Sequence, residues 1–136
     1  AWGRVVLASA SHKLDHSFVQ ALALGIACNL LVCLAVWAAF SGRTTTDKIL
    51  ALIGPVALFV AAGFEHSVAN MFLVPLAIFI QPELAPVGFE PLTWGTFLTA
   101  NLIPVTLGNI IGGGLMIGLF YWLASARSAT PPAERP

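Results

Sequence analysis

Glu65 and His66 stand side by side within Gly63-Phe64-Glu65-His66-Ser67, and nothing else between Ile49 and Ile80 can ionise. Burying either group in hydrocarbon costs several kcal/mol unless it is paired, neutral or beside a cavity, so such residues mark functional sites by default. An imidazole at that depth exchanges a proton near physiological pH. The pair therefore reads as a site on a path for a small acid or ion. His66 is the expected donor of a proton or hydrogen bond to a permeating weak acid; the plainer reading is a neutral structural histidine bonded to a backbone carbonyl. Glu65 either sets the tautomer of His66 or turns away to tie down the local backbone. The second role is favoured, because neighbouring side chains rarely face the same way.

Asn70 follows His66 by four positions, which on a regular helix gives the two a common face. It serves either a substrate oxygen or an interhelical hydrogen bond, and the sequence does not separate the two. Asn29 and Asn109 are single amides in apolar runs and read as interhelical glue; Asn109, close to a glycine run, is expected to bond the backbone around Glu65 and His66. Lys13 reads as a snorkelling interfacial lysine in preference to an electropositive funnel for anions. Phe59 and Val32 read as lipid or core contacts. No cysteine and histidine cluster has metal-ligand spacing, and only His66 lies deep enough to serve a haem. Gly112 to Gly114 lack the Lys-Ser/Thr of a phosphate loop. No catalytic residue, metal or cofactor is expected.

The elements that must position these residues are membrane spans. Hydrophobic residues make up 58% of the 136 and charged ones 9%, against about 25% charged in a soluble domain. Too few charges remain to cover a watery surface. The expected fold is an all-α membrane domain with spans at about 17–40, 48–80 and 101–125. As one straight rod the second would reach ~50 Å, against a hydrocarbon core of ~30 Å. It is expected to break near 63–67, with Gly54-Pro55 before the break and Pro75 after it. Irregular backbone at that depth is tolerated only around protein or a cavity, and transport folds put their sites there. Gly42 is expected to end the first span in the left-handed conformation, and Thr46 or Asp47 to cap the second. Residues 1–16 read as a mixed lead-in, Gln81 to Pro91 as a loop, and Leu92 to Ala100 as a short interfacial helix with Trp94 and Phe97 at headgroup level. Residues 126–136 read as a disordered cytoplasmic tail. The pairs Gly108/Gly112 and Gly114/Gly118 are expected to admit a close helix.

Arg43, Lys48 and Arg127 fall on one side of this layout and Glu83 and Glu90 on the other. The positive-inside rule then puts the C-terminus in the cytoplasm, with Arg4 and Lys13 outside. Cys28 and Cys33 read as packing residues, not a redox pair. A net charge of zero gives no sign of a nucleic-acid partner. Trp2 to Ala10 is too short for a signal peptide. The absent initiator methionine and odd number of spans suggest the C-terminal half of a larger membrane protein.

Four stretches in order, Asn29 to Trp37, Ser41 to Lys48, Gly63 to Phe72 and Asn101 to Gly114, resemble the formate/nitrite transporter family. The resemblance covers nearly the whole chain. It implies an aquaporin-like half-channel: spans four to six of a six-helix protomer, the second of two inverted repeats, in a homopentamer with one pore per protomer. It puts the family's pore histidine at His66, its outer lysine at Lys13, its pore-lining asparagine at Asn29 and its histidine-side asparagine at Asn70. The supporting amide of the sixth helix falls at Asn109, and apolar constriction positions fall at Val32 and Phe59. On this resemblance Lys13 passes from the snorkelling reading to the funnel.

The expected function is a channel or transporter for small monovalent anions of weak acids, with formate the first guess, nitrite the second and hydrosulfide the third. Proton coupling would run through His66, and the setting would be a bacterial inner membrane. Two other classes stay open: a channel for neutral solutes, and a non-transporting membrane anchor. A Glu65-His66 pair on a broken helix speaks against the anchor, which needs only unbroken apolar spans.

Overall fold

A computed structural model describes residues 1–86 and 89–128 of the chain, without the side chains of the last two. All regular structure among these residues is helical. The first helix, α1 (Trp2–Leu14), occupies most of what the sequence suggested was a mixed lead-in. Its buried residues Gly3, Val6, Leu7 and Ala10 follow the spacing of one helix face. Ser17 caps α2 (Phe18–Ser41) by accepting a hydrogen bond from the Gln20 amide. This helix ends without a left-handed residue: Gly42 has φ −68 and ψ 131, which is extended backbone.

Thr44 opens α3 (Thr45–Ala61) with a capping box. Its hydroxyl accepts from the Asp47 amide, and the Asp47 carboxylate accepts from the Thr44 amide. The cap is thus Thr44, one turn ahead of Asp47, in place of Thr46 or Asp47 itself, because the reciprocal pair satisfies two helix-end donors at once. After the break comes α4 (Ser67–Leu84), which takes in Gln81 and Pro82 from the expected loop. The Gln81 side chain then exchanges two hydrogen bonds with the Leu92 backbone and closes that connection.

A long helix, α5 (Trp94–Ala126), is the last element among the described residues. The expected separate helix at Leu92 to Ala100 does not form. Pro104 has no N–H for the Ala100 carbonyl, and its ring would clash there in a regular turn. Wide π-type turns at Phe97–Leu102 open the spiral just ahead of it, so the helix continues through. Phe97 is 3% exposed, packed with Val6, Leu7, Ala10, Val74 and Ala77. Of the expected tail, residues 129–136 lie outside the described residues.

Among the described residues, Phe18–Ser41, Ser67–Leu84 and Trp94–Ala126 are long and apolar enough to cross a membrane. The all-α membrane fold read from the sequence is the one that forms. The middle span is divided: α3 and α4 are separated by residues 62–66, with Pro55 and Pro75 inside the two helices, not at the break. The central helix α2 packs against both α3 and α5. Its crossing with α5 rests on glycine. A Cβ at Gly108 would collide with the Leu22 carbonyl, and one at Gly112 with that of Ile26. The second expected pair makes no such contact, since a Cβ at Gly114 would meet open space. On the other side, α1 packs on α4 and on the first turns of α5. Cys28 is buried and Cys33 half-buried, both as free thiols.

Candidate functional site

The break is made by the backbone first. Gly63 takes φ +67 and is the residue that turns the chain out of α3; a left-handed position costs glycine little. The Phe64 amide returns to the Phe59 carbonyl at 3.0 Å. His66 is then extended, at φ −114 and ψ 117, and α4 begins one residue later.

Asn109 of α5 holds this irregular backbone in place. Its Nδ2 donates to the Glu65 carbonyl at 3.1 Å and to the Gly25 carbonyl of α2 at 2.9 Å. Its Oδ1 accepts from the Ser67 amide and the Ser67 hydroxyl, both at 3.0 Å. One side chain therefore caps α4 and joins the break to α2 and α5. Asn29 adds a bond from its Nδ2 to the Asn109 carbonyl at 2.7 Å.

The Glu65 side chain is 1% exposed. Its Oε1 lies 2.8 Å from Lys13 Nζ. Its Oε2 accepts from Asn70 Nδ2 at 2.6 Å and from Asn101 Nδ2 at 3.1 Å. Asn101 also donates to the Lys13 carbonyl at 3.0 Å and accepts from Asn70 at 2.8 Å. The expectation that Glu65 ties down the local backbone is overturned: its bonds go to side chains of α1, α4 and α5, and Asn109 serves the backbone instead. The physical reason is charge. A buried carboxylate needs a counter-ion and several donors, and only side chains brought together by the fold supply both. Lys13 does not snorkel either, because its ammonium is bound to that carboxylate.

His66 faces the ring of Phe59, with centroids 6.1 Å apart and planes at 30°. Its Nδ1 is buried and has no hydrogen-bond partner among the described residues; the same is true of Asn70 Oδ1. A cavity of about 330 Å³ is lined by Lys13, Phe59, Glu65, His66 and Asn70, with Ser9 and His12 of α1. Asn29, Val32 and Asn109 stand apart from it. The wall thus combines an apolar ring, a neutralised ion pair and two polar side chains with unused hydrogen-bonding atoms.

Four residues of this region were missed by sequence reasoning: Ser9, His12, His16 and Asn101. Asn101 carried the same signal as Asn29 and Asn109, a lone amide in an apolar run. The α1 residues were hidden because the segment was not taken for a helix. Their spacing, with Ser9 and Lys13 four apart and His12 and His16 four apart, is the signal that would have found them.

Three apolar spans, the middle one interrupted, and a cavity at the interruption define an integral membrane protein. The family model described as "Formate/nitrite transporter" matches residues 1–123. The chain belongs to the formate/nitrite transporter family. It is 53% identical to the "Formate channel FocA" of Escherichia coli (strain K12), over 93% of this chain and 48% of that protein. It is 44% identical to the "Probable formate transporter" of Methanothermobacter thermautotrophicus, over 78% and 35%. The solved "Pentameric formate channel with formate bound" superposes with a TM-score of 0.83 at 50% identity, over 91% of this chain and 52% of that one. An "FNT family ion channel" superposes with a TM-score of 0.76 at 36% identity, over 93% and 46%. The chain spans about half the length of the curated relatives it matches.

Proposed function

We propose that the full-length protein is a channel for small monovalent anions of weak acids, with formate the first candidate, then nitrite and hydrosulfide. It works as a homopentamer in a bacterial inner membrane, with the C-terminus in the cytoplasm, and performs no covalent chemistry on its solute. Relatives named as formate channels support the solute class, and the solved neighbour titled as pentameric supports the assembly. The observation that carries the reading is the buried Nδ1 of His66, without a partner on the wall of a cavity inside a broken span. An unused buried ring nitrogen costs free energy, and a guest that completes its hydrogen bonding recovers it.

In this mechanism the anion reaches the cavity as a charged species. Lys13 cancels the charge of Glu65, which alone would repel it. His66, protonated from the entry side, gives that proton to the anion and is left as neutral imidazole, and Asn70 Oδ1 accepts from the protonated guest. Neutralised, the guest passes apolar walls at Phe59 and Val32, where the bare anion would meet a desolvation cost of several kcal/mol. Asn29 serves as a further polar contact on the path, and Asn109 keeps His66 in register.

Uptake of radiolabelled formate into proteoliposomes holding the full-length protein tests this. Saturable uptake that nitrite competes is the expected result. No uptake, or glycerol-driven swelling that ignores pH, would reject the reading.

A further inference from the structure

His16 lies one turn beyond His12 on the way from α1 to α2, and the mechanism so far leaves it idle. Its side chain is 8% exposed, and its Nε2 is 3.6 Å from Glu65 Oε1, the oxygen that Lys13 Nζ already holds at 2.8 Å. That separation is just too long for a hydrogen bond, and Nε2 is buried without a partner among the described residues. The His12 and His16 rings meet edge to face with centroids 5.1 Å apart. The charged or titratable groups around the cluster are Glu65 from the break, Lys13 and His12 from α1, the adjoining Asp15, which is exposed, and the buried thiol of Cys28 from α2, within reach of the Glu65 and Lys13 charges. The neighbouring contributions of α4 and α5 to the cluster, Asn70 and Asn101, are neutral amides.

We infer that His16 is a second, proton-dependent partner of Glu65 and sets the charge of the cavity mouth. With His16 neutral, Lys13 and Glu65 cancel and the cluster carries no net charge. With His16 protonated, a small closing movement lets Nε2–H donate to Glu65 Oε1. The carboxylate is then shared between two cations, and the cluster gains one positive charge beside the cavity that His66 faces. Anion binding therefore strengthens when His16 takes up a proton from the medium. His16 is a positioning residue here: it acts on the anion through Glu65 and Lys13. The inference rests on the anion-channel reading above.

The test measures the KM for formate uptake from pH 5.5 to 8 in proteoliposomes of the full-length protein, for wild type, His16→Gln and His16→Arg. Wild-type KM is expected to fall on acidification by about fivefold, at the low end of couplings between linked sites. His16→Gln is expected to hold the high, alkaline KM throughout, and His16→Arg the low, acidic one. A wild-type pH profile in both variants overturns the inference. His66→Ala is run alongside. If it abolishes uptake while both His16 variants behave as wild type, only the present inference fails; if it leaves uptake and its pH dependence untouched, the parent reading fails. Should both His16 variants misfold, 15N-histidine spectra of the full-length protein, with the His16 signals assigned apart from those of its other histidines, decide. An imidazole titrating between pH 5 and 8 supports the inference, and one silent over that range overturns it.

Discussion

Lys13 Nζ and Glu65 Oε1 lie 2.8 Å apart although 52 positions of chain separate them. This contact fastens α1 to the interruption of the middle span. It also gives a carboxylate that is 1% exposed an ammonium partner inside a membrane protein. Replacing Lys13 by Met strands that charge, and breaking one partner of a buried pair costs about 3–5 kcal/mol. The double variant Lys13→Met/Glu65→Gln removes both charges and is expected to recover most of the loss. A double-mutant cycle on thermal unfolding in detergent checks this; additive losses would mean that the pair is not coupled.

Asn109 is the second support of the break. Asn109→Ala leaves the Ser67 amide and the Glu65 carbonyl without their Asn109 partner and takes a second bond from the Gly25 carbonyl. Each stranded buried group costs about 1–3 kcal/mol. The expected signature is local: hydrogen exchange at residues 64–68 speeds up well before the rest of α4 and α5 loosens. Uniform exchange across the chain would contradict the assignment.

The crossing of α2 and α5 separates two glycines that the sequence treats alike. Gly112→Leu drives a side chain into the Ile26 carbonyl, whereas at Gly114 there is open space. Overpacking of this kind costs about 1–3 kcal/mol or more. Gly112→Leu is expected to lower the unfolding temperature or abolish assembly, and Gly114→Leu to leave the fold of the chain intact. Equal effects would refute the close approach.

Acid sensitivity is expected at the start of α3. Hydrogen bonds from the Thr44 amide and hydroxyl, and then from the Arg43 amide, hold the Asp47 carboxyl below its ordinary range. A carboxyl depressed in the folded state stabilises above its unfolded pKa, and that contribution fades as pH falls through the folded value. Exchange at the first turn of α3 should therefore rise as pH drops below about 4, and Asp47→Asn should remove that dependence. A first turn indifferent to both would count against the capping box.

How much of this was legible follows from contrast. Glu65, His66, Asn70 and Asn109 stand out because each is polar in an apolar run. The length of the run around Glu65 demands an interruption without any structural knowledge. Asn101 gives the same signal but sits where a short interfacial helix was expected to meet the third span, which masked it. The first helix was poorly legible: His12, Lys13, Asp15 and His16 make the end of the segment polar, and its apolar face, Val6, Leu7 and Ala10, is buried against residues far along the chain such as Val74, Ala77 and Phe97. Nor does sequence say whether a proline stops a helix. Pro55, Pro75 and Pro104 all lie inside helices, and the interruption falls instead at Gly63, where φ is positive. The partner of Glu65 was hidden for the same reason as α1, since long-range pairing is a property of packing.

The central claim is that His66 supplies the hydrogen bond or proton that lets a weak-acid anion cross. The most direct measurement is formate flux against pH in proteoliposomes of full-length wild type and His66→Ala, with circular dichroism establishing that both are folded. The account expects the variant to lose proton-linked formate movement, with the pH dependence of the remaining flux changed. A folded His66→Ala protein with wild-type flux and wild-type pH dependence would contradict it.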